Sequence, residues 1–350
     1  MRFDLSVSQP AANHSVQRFE TDRGASIFQL PVEAFPGFWA YAYLVLVDGY
    51  KVLVDTGSGF GASNQHLEAR LREASEQFGV SLAFSNLTHV LITHGHIDHF
   101  GGLPHVRANS VAKVGVHELD LRILTNAEER LTIVAHRLAI FLAEAGISTP
   151  RRRELLQLYK MIKLDYTPVP VDFTYEAVDM RVGPFEMLHV PGHCAGQVVI
   201  RLHDVLFSGD HVLSDISPHQ APERLVLNTG LGHYLASLES LRGWAEGIRL
   251  TLGGHNAPIV DLPSRIDAIR DTHVRRLQEV LDLLAEPHTI AEISQSLFGE
   301  VHGYNVLLAL EETGAHIEYL CQRGLIGIAN LADLKNDDEP VPIRYYRLET

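Results

Sequence analysis

Cysteine is scarce in this chain. Only Cys194 and Cys321 occur in 350 residues, too few for a disulfide scaffold, so stability has to come from a hydrophobic core. Long apolar runs are missing as well. No stretch approaches 18 consecutive apolar residues, which leaves no candidate membrane helix. The opening residues, Met-Arg-Phe-Asp-Leu-Ser-Val-Ser, contain no apolar h-region. No secretory signal is read there, and a cytoplasmic location is the expectation. Positive charge is also in short supply. Lys plus Arg number 29 against 43 Asp plus Glu, a formal charge of −14. A protein that tracks phosphates needs a basic stripe to release counterions, so this balance argues against nucleic acid as the partner.

Apolar residues make up 46% of the chain and charged residues 21%, the texture of an ordinary globular protein. The length suits one large domain with a smaller one attached. The unusual count is 20 histidines, and their spacing decides what they mean.

Strand patterns occupy residues 25–57. The apolar run Tyr41 to Val47 meets Asp48-Gly49, a tight-hairpin dipeptide, and Lys51 to Val54 returns to the loop Asp55-Thr56-Gly57-Ser58-Gly59. Leu67, Leu71, Ala74 and Phe78 then share a helical face. Leu87 to Thr93 and Val111 to Val116 read as short strands. Residues 118–164 read as helical, with a break at Ser148-Thr149-Pro150. A hairpin is expected around His203-Asp204, a helix over 232–246, and a strand from Arg249 to Leu252. Alternating strands and helices with hairpins among them predict a layered α/β domain.

After Asp261 the texture changes. A long charged helix over 264–286 is followed by Thr289 as N-cap with Glu292 three residues on, a capping-box signature. A helix over 304–323 ends at Gly324, and two short strands follow, with acidic residues 333–339 between them. Helix–helix–helix–hairpin is a winged-helix order, and the boundary is set near residue 262.

The strongest chemical signal is Thr93-His94-Gly95-His96-Ile97-Asp98-His99-Phe100-Gly101-Gly102. Three imidazoles and a carboxylate fall within six residues at the end of a strand. Imidazole and carboxylate are ligands for zinc and other divalent first-row metals. Alternate residues of such a loop turn toward a common point, so His94 and His96 suit one metal and Asp98 and His99 a second.

This segment resembles the His-x-His-x-Asp-His signature of the metallo-β-lactamase superfamily. Four more segments resemble that family in chain order: Asp55-Thr56-Gly57, Pro191-Gly192-His193, Phe207-Ser208-Gly209-Asp210 and Gly253-Gly254-His255. The resemblance implies an αββα sandwich and a two-metal site. His94, His96 and His193 would hold one ion, and Asp98, His99 and His255 the other, with Asp210 shared. Two divalent ions flanking one water would supply a bridging hydroxide nucleophile and polarise the scissile bond. Zinc is the first choice, with manganese and iron open to the same ligands. Asp98 and Asp210 are the expected catalytic carboxylates, Asp98 also handling the proton of the water. Asp55 is read either as orienting a ligand histidine or as fixing the glycine loop. A bridging aspartate points to the thioesterase, lactonase and nuclease branches, not to β-lactamases carrying a metal-binding cysteine, so Cys194 is read as a packing residue.

The resemblance thus implies residues 1–261 as the catalytic domain, with a helical insertion at about 118–165, and residues 262–350 as a winged helix. The span Gly303 to His316 carries the latter likeness. Residues 262–350 hold eight basic and fifteen acidic side chains, a net of −7. A wing that reads DNA should be basic, so this domain is expected to form a wall of the active site or a homodimer contact. Arg151-Arg152-Arg153, Lys160 and Lys163 are weighed as clamps for an anionic substrate tail and as a solvated helix face. Tyr166 and Tyr175 are candidate oxyanion donors, and His211 a candidate substrate contact. His89, His105, His117, His136, His189, His203, His219 and His233 are read as structural. The leading expectation is hydrolysis of a thioester or lactone in a small acyl substrate. The alternative is a metal-dependent endoribonuclease acting on single-stranded RNA.

Overall fold

The computed structural model describes residues 14–163, 166–335 and 340–349. Its first sheet contains β1 (Gln17–Glu20), β2 (Ser26–Phe35), β3 (Phe38–Val47), β4 (Tyr50–Val54), β5 (His89–Leu91), β6 (Lys113–Val116) and β7 (Phe173–Thr174), hydrogen-bonded in that order. The second contains β8 (Arg181–Val182), β9 (Phe185–His189), β10 (Val198–Leu202), β11 (Val205–Gly209) and β12 (Leu250–Gly253), also in chain order. Both sheets are mixed. Pairing is antiparallel from β1 to β4 and parallel from β4 to β7. In the second sheet only β11 and β12 run parallel.

Strand periodicity explains the layers. Tyr41, Tyr43 and Val45 of β3 face the second sheet, where Val198, Ile200, Phe207 and Leu252 meet them. The alternate residues Ala42 and Leu44 face outward. There they are covered by α1 (Ser63–Phe78), through Leu67, Leu71 and Ala74. Beyond the short α2 (Ile97–Phe100), α3 (Leu103–Asn109) adds Leu103 and Val106 to that cover. Strands buried on both faces need apolar residues at odd and even positions, as β3 has. The hairpin at Asp48-Gly49 has φ of 47° and 82° at its two central residues, the left-handed pair that this dipeptide predicts.

Residues 118–163 contain two breaks where one was expected. The elements are α4 (Glu118–Thr125), α5 (Ala127–Glu144) and α6 (Thr149–Lys163). The extra break falls at Asn126, with φ −138°, and no glycine or proline marks it. On the far face of the second sheet, α7 (Leu231–Trp244) and α8 (Leu262–Leu283) bury Leu238, Leu241, Ile266 and Ile269 against Val199 and Leu206. Helix, sheet, sheet and helix thus stack in four layers. Asp261 caps α8 by accepting the Ser264 N–H at 3.0 Å.

The C-terminal segment continues with α9 (Ile290–Phe298), α10 (Asn305–Gln322), β13 (Ile326–Ile328), α11 (Leu331–Leu334) and β14 (Tyr345–Arg347). Thr289 and Glu292 form the expected reciprocal capping box. Strands β13 and β14 pair antiparallel. Part of the expected acidic tip is the turn of α11, while Asp337-Asp338-Glu339 and the Lys163 side chain lie outside the described residues. Leu138, Phe141 and Leu142 of α5 share one core with Val280, Ile290, Leu310 and Ile317 of the C-terminal helices. Strand β1 was not foreseen, because its half-exposed Gln-Arg-Phe-Glu offers no apolar stripe. Among the described residues, no helix is long and apolar enough to cross a membrane.

Candidate metal centre

Five strands end at one place. Asp55 follows β4, the His94–His99 loop follows β5, His193 follows β9, Asp210 follows β11 and His255 follows β12. In layered α/β folds the carboxyl ends of strands are where loops converge on ligands. Backbone bonds lock these loops together: Thr56 N–H donates to the His99 carbonyl at 2.7 Å, and Gly254 N–H to that of Gly209 at 2.8 Å. At Gly254 a Cβ would strike Asp210 Oδ1 and the His99 ring, so only glycine lets these chains approach.

All seven residues predicted as ligands come together. His94 Nε2 lies 3.1 Å from His96 Nδ1. The rings of His96 and His193 are 4.5 Å apart. Asp98 Oδ2 is 3.6 Å from His99 Nε2 and 3.3 Å from His255 Nε2. Between the two sets stands Asp210. Its Oδ2 is 4.0 Å from His94 Nε2, 3.7 Å from His193 Nε2 and 3.3 Å from His255 Nε2, and its Oδ1 is 3.4 Å from His99 Nε2.

The outer nitrogens of four imidazoles are each engaged. His99 Nδ1 meets Asp55 Oδ2 at 2.9 Å, which settles how Asp55 acts. The same carboxylate accepts the N–H and hydroxyl of Thr93, each at 2.8 Å, so it orients the ring and fixes the loop at once. His193 Nδ1 donates to the His219 carbonyl and His255 Nδ1 to that of Trp39, both at 2.7 Å. The Thr93 hydroxyl donates its hydrogen bond to Asp55, so it accepts from His94 Nδ1 at 3.0 Å. These partners hold each ring with its Nε2 turned inward, so that loss of the Nε2 proton presents the tautomer that a metal requires. His99 Nε2, His193 Nε2 and Asp210 Oδ1 are buried there with no hydrogen-bond partner. Buried orphan acceptors are costly, and a cation among them resolves the cost, so the residues fit divalent metal.

Electrostatics divides the two sets. Burial, then the neighbouring His99 and His96, hold His94 well below the ordinary imidazole value, so it stays neutral. Burial lowers His193 as well. Around His255 burial also acts downward, but Asp210 and Asp98 outweigh it and raise the ring to about 10. Burial opposes ionisation of Asp210, yet His255 and His99 hold it well below the usual carboxylate range. The carboxylate-rich side draws positive charge to itself.

Sequence reasoning missed Asp120. This fully buried residue of α4 accepts the Gly95 N–H at 2.7 Å and the Gly196 N–H at 3.0 Å. It thereby clips the loop of His94 and His96 to the loop of His193. Burial raises its pKa, while the Cys194 thiol and the two amides favour the ionised form. Cys194 Sγ lies 3.4 Å from this carboxylate, so the cysteine is a hydrogen-bonding partner and more than filler. The one available signal was an acidic residue between Leu119 and Leu121 in the first turn of a helix.

The other candidates make contacts of their own. The Tyr175 hydroxyl is spent on the carbonyls of Ile92 and Gly115 at 2.9 and 3.0 Å, so it is not an oxyanion donor. Tyr166 packs edge-on against Phe100 at 4.7 Å. His211 is fully buried, its ring against Tyr234, and burial pushes its pKa down to about 3. Arg151 pairs with Glu154 at 2.6 Å and Arg152 bonds to Thr149 at 2.7 Å, contacts within their own helix. Of the histidines read as structural, His219 does reach the site, through its carbonyl.

Comparison with known proteins agrees with this geometry. A sequence profile described as "Metallo-beta-lactamase superfamily" matches residues 40–285. The "Probable metallo-hydrolase YqjP" of Bacillus subtilis is 24% identical over 288 residues, 79% of this chain and 86% of that protein. An "Atrochrysone carboxyl ACP thioesterase" of Aspergillus chevalieri is 24% identical over 270 residues, 74% of this chain and 68% of its own. Among solved structures, a metallo-beta-lactamase family protein from Thermus thermophilus superposes with a TM-score of 0.68 at 27% identity, covering 92% of this chain and 98% of that one. A beta-lactamase domain protein from Burkholderia ambifaria shares the fold, with a TM-score of 0.70 at 21% identity over 99% of this chain and 98% of its own.

Proposed function

The chain belongs to the metallo-beta-lactamase superfamily and is a metal-dependent hydrolase, and from that premise we propose that it cleaves a thioester or lactone bond in a small acyl substrate with two divalent ions. The observation that carries the two-ion reading is the position of Asp210, whose carboxylate lies within 4.0 Å of imidazole nitrogens from both histidine sets. His94, His96 and His193 hold one ion in this reading, and Asp98, His99 and His255 the other, with Asp210 shared. Zinc is the expected occupant of such a nitrogen and oxygen set, ahead of manganese or iron.

When bound, the ions supply Lewis acidity, activating water and polarising the scissile carbonyl. The protein's own groups do the rest. Burial works against ionising Asp98, but His99 and His255 outweigh it, so the carboxylate is charged at neutral pH. It is 14% exposed, against 0% for His99, and so is the group in this set placed to take the proton of the attacking water. Four of the five imidazoles stay fixed because their outer nitrogens are held. Support for the acyl substrate comes from relatives carrying the name "Atrochrysone carboxyl ACP thioesterase", 24% and 25% identical to this chain.

We also read residues 1–261 as the catalytic domain with its insertion at about 118–165, and residues 262–350 as a winged helix. Support is the order α8, α9, α10, β13, α11, β14, with β13 and β14 paired antiparallel. Its net charge of −7 makes it a poor surface for nucleic acid.

The test is a panel of thioesters, lactones and single-stranded RNA offered to metal-loaded protein, with metal content measured on the same sample. Two ions per chain with turnover of one ester class is the expected result. Cutting of RNA with every ester untouched would replace the acyl reading by phosphodiester chemistry.

A further inference from the structure

The C-terminal segment buries a second cluster of imidazoles and carboxylate, remote in sequence from the first. Glu312 and His316 stand one turn apart on α10, and His273 faces them from α8. Atoms of these three able to bind a metal lie within 4.8 Å of one another. This cluster already contains its cation, however. Arg276 Nη1 donates to Glu312 Oε1 at 2.5 Å. His316 Nδ1 donates to the Glu312 carbonyl at 2.7 Å, which leaves its Nε2 to accept from His273 Nδ1 at 3.2 Å. One buried atom, His273 Nε2, is left without a partner. The donors and acceptors are otherwise consumed internally, so the cluster is a brace and not a third metal site.

What it braces is the other centre. Glu312 Oε2 turns away from the helix pair and accepts the Gln220 N–H at 2.7 Å, with His219 Nδ1 at 3.5 Å. Glu311 Oε2 takes the other ring nitrogen of His219 at 3.1 Å. Two carboxylates of one helix thus hold the His219 ring and the peptide that follows it. The carbonyl of that peptide accepts His193 Nδ1 at 2.7 Å. Residues 213–229 form no helix or strand, so no backbone ladder sets where this carbonyl stands. Glu318, further along α10, anchors the same loop by accepting the Glu223 N–H at 2.7 Å.

We propose that Glu312, with Glu311 beside it, is a positioning residue for the metal centre. Acting from α10 through His219, it fixes the carbonyl that sets the tautomer and direction of His193. The C-terminal segment is then part of the three-histidine site and more than an appended module. The proposal rests on the reading of His193 as a metal ligand. Outer partners of ligand histidines tune affinity by about 10- to 100-fold, and a displaced carbonyl should show as a weakened ion.

Cobalt(II) titration of the full chain tests this, reading both the affinity of each ion and the visible d–d absorption. Glu312→Ala should weaken one of the two ions by about 10- to 100-fold and alter the spectrum, while the second ion binds as in wild type. Glu311→Gln should do the same more weakly, and it carries the test alone if Glu312→Ala does not fold. Glu292→Gln, which loosens the cap of α9 and whose side chain bonds only Thr289 and Arg344 among the described residues, should lower thermal stability and leave both ions unchanged. Wild-type affinities and spectrum in Glu312→Ala or Glu311→Gln would overturn the proposal. So would a third ion that Glu312→Ala and His273→Ala both lose. Wild type that binds no cobalt would overturn the metal reading itself, a result distinct from both.

Discussion

The cluster at the strand ends and the cluster between α8 and α10 use the same side chains and come to opposite conclusions. At the strand ends, two ring nitrogens and a carboxylate oxygen are buried without partners and converge on one another. Between the helices, Arg276 pairs with the Glu312 carboxylate, and one imidazole bonds to the next. Buried acceptors without a resident cation mark a metal site, and the same groups closed by arginine mark a structural network. Proximity of histidine and carboxylate does not separate the two cases. The count of unspent lone pairs does.

Four experiments would break or sharpen this contrast. The largest effect belongs to Asp210→Ala, which removes the carboxylate facing both histidine sets. Ester turnover should fall by about 1000-fold, measured as kcat/KM, and metal content should drop below two ions per chain. Activity within a few fold of wild type would undo the shared role. Next comes Arg276→Met, which leaves Glu312 buried beside two imidazoles without its cation. Urea unfolding should show a loss of about 3 kcal/mol with metal content unchanged. A variant that instead acquires a third zinc ion would show that arginine alone had kept metal out.

The third concerns pH. Burial, with His316 and Arg276 nearby, lowers His273 to about 4 although Glu312 pulls the other way. The unfolded chain therefore takes up a proton near pH 6.5 that the folded one refuses until about pH 4. The stability this neutral ring contributes is present above pH 6.5 and is lost as pH falls through that window. His316 is lowered in the same sense. His273→Gln keeps a donor for His316 and should flatten the decline in unfolding free energy between pH 7 and 4.5 by on the order of 2 kcal/mol. An unchanged slope would mean that His273 is charged when folded. The smallest effect is expected from Asp120→Asn. One of its amide partners would then face a donor, and the three-histidine ion should bind about tenfold more weakly in competition with a chelator. Equal weakening of both ions would show that Asp120 supports the whole centre and not one side of it.

The clustering of the seven residues was legible because each lies in a short segment that follows a strand and carries its own signal. The doubly covered sheets were legible too, since strands such as Tyr41 to Val47 are apolar at every position. What escaped were contacts with no spacing to betray them. The carbonyls of Trp39 and His219 orient two rings, and a backbone carbonyl is silent in a sequence. Asp120 was hidden by its helix, where an acidic residue in the first turn passes for a solvated one. The break at Asn126 was missed for want of glycine or proline, and Tyr175 was misread because only tertiary packing brings its hydroxyl to two carbonyls.

Trp39 gives the centre a fluorophore of its own. The chain holds two tryptophans. Trp244 sits beneath Arg201, with the guanidinium 5.9 Å from its ring. Trp39 lies between the imidazoles of His14 and His66, at centroid distances of 3.8 and 5.4 Å, and its carbonyl holds His255. Emission from Trp39 in a Trp244→Phe background would report events at the strand ends in real time, without substrate, dye or label.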